Sequence, residues 1–113
     1  MNKQIAKKWI AALRSGKYKQ TKCALKDKDG YCCLGVLCAI SPWKYNFTRM
    51  TNAPHAKNMS LPPIVVNWAG MRSSGGEYQV EGNQYSNVLT ARNDEGMSFS
   101  EIAKLIEKYT EDL

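Results

Sequence analysis

The chain of 113 residues is 43% apolar, 23% charged and 10% aromatic. That composition fits one small globular domain, leaves no room for a second and excludes wholesale disorder. No apolar run approaches the ~18 residues of a membrane span. The net charge of +6 is polarised: residues 1–30 carry nine basic side chains against Asp27 and Asp29, whereas residues 93–113 carry two basic against six acidic. A basic front end attracts polyanions or phosphorylated ligands, unless its lysines simply solvate the surface.

The start, MNKQIAKKW, is basic but holds no continuous apolar stretch and no small-residue cleavage site, so export is not expected. Residues 3–15 read as an amphipathic helix, with Ile5, Trp9, Ile10 and Leu13 at three-to-four spacing and Gly16 placed to close it. In KYKQTKCAL, Lys17, Lys19, Thr21, Cys23 and Leu25 alternate with Tyr18, Gln20, Lys22 and Ala24, which predicts a strand with a basic face. Asp27 to Gly30 carries turn chemistry. The apolar run GYCCLGVLCAI predicts a helix starting near Cys32 or Cys33, with Gly35 allowing another element to approach closely.

Residues 48–60 read as a polar loop. Ser60 is a candidate cap for a short helix with Pro62 and Pro63 in its first turn and Gly70 at its end. Tyr78 to Val80, a Gly82-Asn83 turn and Tyr85 suggest a small hairpin, and residues 86–93 a short helix. Ser98 and Glu101 form a capping box ahead of a stripe of Phe99, Ile102, Ala103, Ile106 and Tyr109. The expected fold class is α+β: a single domain over residues 1–113, with a small antiparallel sheet packed against several short helices.

Cys23, Cys32, Cys33 and Cys38 do not have the paired spacing of a zinc site, and His55 is the only histidine. Without export a disulfide is disfavoured, and reduced thiols filling a core are expected. A nucleophilic cysteine at the start of a helix, with His55 as base and Asn58 or Asn67 to orient it, is the sharpest catalytic alternative. The apolar surroundings of Cys32 and Cys33 argue for burial instead. No phosphate-loop, dinucleotide or metalloprotease motif is present. The expectation is therefore a binding protein with no catalytic residues, metal or cofactor. Tyr18, Trp43, Trp68 or Tyr78 would be available for stacking, and the amides Gln20 and Asn93 for reading base edges.

The segments WIAALRSGKYKQTKCAL, GYCCLGVLCAI, LPPIVVNWAGM and LTARNDEGMSFSEIAKLIEKY, in that order, span most of the chain. Together they resemble a widespread family of small phage-encoded proteins. The pattern is similar to the anti-CBASS sponges, which sequester cyclic oligonucleotide signals of bacterial defence as homo-oligomers without cleaving them. The resemblance implies a phage protein acting in the host bacterial cytoplasm as a dimer or tetramer. It also implies ligand contacts at the motif positions Arg14, Tyr18, Gln20, Arg92 and Asn93, with the cysteine-rich helix as scaffold or as a phosphate-facing terminus. The alternative is a small basic module that binds nucleic acid or a host protein. A long duplex fits it less well, because the acidic last helix would repel one.

Overall fold

The computed structural model describes residues 1–43, 60–84 and 86–113. Among them are five helices: α1 (Lys3–Arg14), α2 (Cys33–Ile40), α3 (Pro63–Ala69), α4 (Leu89–Asp94) and α5 (Phe99–Tyr109). Strands β1 (Glu77–Tyr78) and β2 (Asn87–Val88) pair antiparallel, Glu77 opposite Val88 and Tyr78 opposite Asn87. The fold is α+β. No helix among the described residues is long and apolar enough to cross a membrane.

Helix α1 begins at Asn2, whose side chain accepts hydrogen bonds from the Gln4 and Ile5 N–H groups, and Gly16 follows its end at φ 74°. It buries Ala6, Trp9 and Leu13, and the Trp9 indole donates to the Cys33 carbonyl at 2.9 Å. Helix α2 is the centre of the core. Cys33 through Cys38 are all buried, as only an all-round apolar helix can be. Helix α5 has the expected capping box and buries Phe99, Ile102, Ala103 and Ile106. It is the principal neighbour of α1, which also packs on α2, while α4 bridges α2 and α5.

Gly35 was expected to permit close approach, and it does. A Cβ there would lie 1.7 Å from the Leu25 carbonyl oxygen, so the loop before α2 crosses the helix at a distance no side chain tolerates. The short helix α3 starts one residue after Pro62, which holds the cap position without a side-chain hydrogen bond; Ser60 is not the cap. Gly70 ends it in the left-handed conformation, as expected. The turn forms on Glu81-Gly82, one residue before the expected Gly82-Asn83, with Gly82 at φ 85° and the Asn83 N–H donating to the Val80 carbonyl. The paired strand is Glu77–Tyr78 rather than Tyr78 to Val80. Tyr85 lies outside the described residues, as does the polar loop expected at 48–60 apart from Ser60.

The strand expected over residues 17–25 does not form. Cys23 adopts φ 61°, which breaks an extended chain, and Ala24 and Leu25 are buried in succession rather than in alternation. Only isolated bridges remain, Gln20 to Tyr31 and Lys26 to Tyr31. The segment is an ordered loop. Asp27 closes its turn by accepting from the Asp29 and Gly30 N–H groups.

Candidate functional site

The two chain ends meet beside the α1–α5 seam. The Met1 ammonium donates to the Thr110 carbonyl at 3.4 Å, Leu113 is fully buried, and its carbonyl accepts from the Arg72 N–H at 2.6 Å. This clamp leaves a groove of about 640 Å³ between the outer faces of the first and last helices. One wall is α1, presenting Lys3, Ala6, Lys7, Ile10, Ala11 and Arg14; the other is residues 107–112. Lys3, Lys7 and Arg14 share one helix face because successive turns return every three to four residues. At 1.5 Å per residue they span about 16 Å of the groove's length.

The walls differ in charge. The α1 side contributes only cations, whereas the opposite side contributes Glu107, Glu111 and Asp112 beside Lys108. Arg14 and Glu107 bridge the walls at 2.7 Å. The hydrogen bond from the guanidinium holds the Glu107 carboxyl below its ordinary range and raises Arg14. Asp112 is engaged by the Gln79 N–H and Glu107 by Arg14, so among the described residues Glu111 is the lining carboxylate without a partner. Such a groove can hold phosphates along α1 and donor groups along the other wall.

The five candidate contact residues are not brought together. Arg14 lines the groove. Tyr18 is half-buried and packs edge-on against Tyr31, with ring centres 5.3 Å apart. Gln20 and Asn93 are spent on each other: the Gln20 amide donates to Asn93 Oδ1 and to the Met97 carbonyl. Asn93 Oδ1 also accepts from the Cys33 N–H, and its Nδ2 donates to the Thr21 carbonyl. Both amides therefore fasten the loop to α2 and α4: Asn93 is fully buried, and the Gln20 Nε2 is engaged twice, so neither offers a free donor–acceptor pair to a base edge. Arg92 pairs with Glu95 at 3.2 Å, while its Nε is buried without a partner. Trp43 and Trp68 pack edge-on against each other, and Tyr78 is buried against Tyr109. Lys3, Lys7 and Lys108 were missed as groove residues. The spacing of Lys3, Lys7 and Arg14, four residues and then seven (one helical turn and then two), was the available signal.

The start of α2 is not a phosphate-facing terminus. Its first N–H groups are taken by Asn93 and by the Cys32 sulfur, in a buried setting, so the cysteine-rich helix is scaffold. Burial pushes the Cys32 thiol up to about 11 and Cys38 up to about 12, and raises Cys33 well above its ordinary value. These three are protonated at neutral pH, as expected of core thiols; Cys23, by contrast, is exposed. His55 and Asn58 lie outside the described residues. Among the described residues no three potential metal ligands cluster.

The family described as a domain of unknown function, DUF8296, matches residues 1–110, and the chain belongs to that family. Comparison with curated proteins and with solved structures gives no match.

Proposed function

We propose that this DUF8296 member binds a compact phosphorylated ligand of the cyclic-oligonucleotide class in the α1–α5 groove and holds it intact, lowering its free concentration. The observation that carries the reading is the groove's two-sided character. Three cations from one face of α1 line one wall, and Glu107, Glu111 and Asp112 line the other. A nucleotide ring presents phosphates on one surface and base edges on another. Phosphate contacts position such a ligand, and carboxylates accept from amino and imino groups on its bases. The volume of about 640 Å³ falls within the roughly 300–1,000 Å³ of small-molecule sites.

Sequestration needs affinity rather than chemistry, and the three buried thiols offer no nucleophile at neutral pH. The groove is open along one side, so a second copy of the chain would enclose the ligand better than one copy alone. The similarity to phage sponges of immune signals supports this class of ligand, a homo-oligomeric state and action in the host cytoplasm.

Calorimetry with a panel of cyclic di- and trinucleotides tests the reading. One member of the panel is expected to bind with submicromolar Kd and to be recovered chemically unchanged. Lys7→Glu and Arg14→Glu are each expected to weaken that binding at least tenfold. No heat from any member at tens of micromolar protein would retire the proposal, as would recovery of a cleaved ligand.

A further inference from the structure

Outside the groove, the loop that replaces the expected strand carries five lysines between residues 17 and 28. Lys17, Lys19, Lys22, Lys26 and Lys28 are all exposed, and none takes part in an ion pair among the described residues. The opposing charge is partly withdrawn. Asp27 turns into the loop, where the Thr21 hydroxyl and the Asp29 and Gly30 N–H groups hold its carboxyl below the ordinary range. Asp29 is the one acidic residue of the loop left exposed.

A flexible tail of five lysines would spread apart to relieve its repulsion. This segment cannot. The Tyr31 N–H donates to Lys19 and the Thr21 N–H to Tyr31, the Cys32 N–H reaches Leu25, and the Cys23 N–H is held by the Asp94 carboxylate. The Gln20–Asn93 pair locks the same segment from beneath. Gly30 allows the two halves to touch, since a Cβ there would lie 2.2 Å from the Lys19 carbonyl oxygen. The fold thus spends its buried amides on holding like charges together.

Two aromatic rings sit within the same patch. Tyr18 and Tyr31 meet edge to face, with the Lys17 ammonium 5.8 Å from the centre of one ring and the Lys26 ammonium 5.6 Å from the other. Cations beside half-buried tyrosines match a phosphodiester chain whose bases are unpaired, because stacking on an aromatic side chain needs a free base face. A duplex keeps those faces covered. We infer that loop 17–31 is a docking surface for single-stranded nucleic acid, separate from the α1–α5 groove.

Fluorescence anisotropy of the full chain with a labelled twelve-nucleotide oligothymidylate, and with a duplex of equal length, tests this. Neutralising four to five phosphates gives a slope of log K against log salt of about −3 for a single strand. The triple variant Lys19→Gln/Lys22→Gln/Lys26→Gln, with its melting temperature checked, is expected to lose at least tenfold in affinity and about two units of that slope. Lys8→Gln/Lys104→Gln, outside loop and groove, is expected to leave both unchanged. Unaltered binding by a folded triple variant, tighter binding of the duplex, or equal competition by polyglutamate would each overturn the inference. The last would assign the surface to an acidic protein partner.

Discussion

Asn93 is fully buried, and its partners fix the orientation of its amide: Oδ1 faces N–H donors from Cys33 and Gln20, and Nδ2 faces the Thr21 carbonyl. Asn93→Ala strands those groups in the interior and is expected to cost about 3 kcal/mol or more. Asn93→Asp should cost more, since it sets an acceptor against the Thr21 carbonyl. Chemical denaturation measures both, and a loss below about 1 kcal/mol would return Asn93 to the list of ligand contacts. The cysteines give a second prediction at this scale. With Cys32, Cys33 and Cys38 buried and their thiols raised, iodoacetamide at neutral pH is expected to alkylate Cys23 alone in the native protein and all four after denaturation. Mass spectrometry counts the adducts.

At the scale of elements, the contact between α2 and the loop before it has no slack. Gly35→Ala would drive a methyl into the Leu25 backbone and is expected to destabilise by about 3 kcal/mol or more, read as a fall in thermal midpoint. The loop should also be sensitive to acid. The Asp27 carboxyl sits below its ordinary value of 3.8, chiefly through the Thr21 hydroxyl, so its contribution is complete above that value. It is lost as pH falls through the lowered folded value. Titration between about pH 5 and pH 2 is expected to release protection of the Gly30 amide, and Asp27→Asn should remove that pH dependence. The helices were legible because apolar spacing, the capping box at Ser98 and the glycines at 16 and 70 are local signals, except that the helix expected over 86–93 starts only at Leu89, Asn87–Val88 being drawn into β2 by pairing with Glu77–Tyr78. The loop was not. Alternation in residues 17–25 mimics a strand, but extended chain needs partners along its length, and here those partners are the Tyr31 backbone and the Asp94 carboxylate.

For the molecule as a whole, the ion pair between Arg14 and Glu107 joins the first helix to the last across an exposed groove. Exposed pairs contribute little, so Arg14→Ala is expected to leave the thermal midpoint nearly unchanged. Its effect on ligand affinity then reads the groove rather than the fold. The composition, the charge polarity and the run of local patterns determined by themselves that this is a small, basic α+β chain with a cysteine-rich core helix, because each is a property of neighbours in sequence. Only the tertiary structure decided which polar side chains remain available. Gln20 and Asn93, far apart in sequence, bond each other and the backbone around them, while Lys3 and Lys7 line a groove that exists only once the last helix packs beside the first. A side chain's freedom to bind depends on what the fold brings against it, and that is a long-range property.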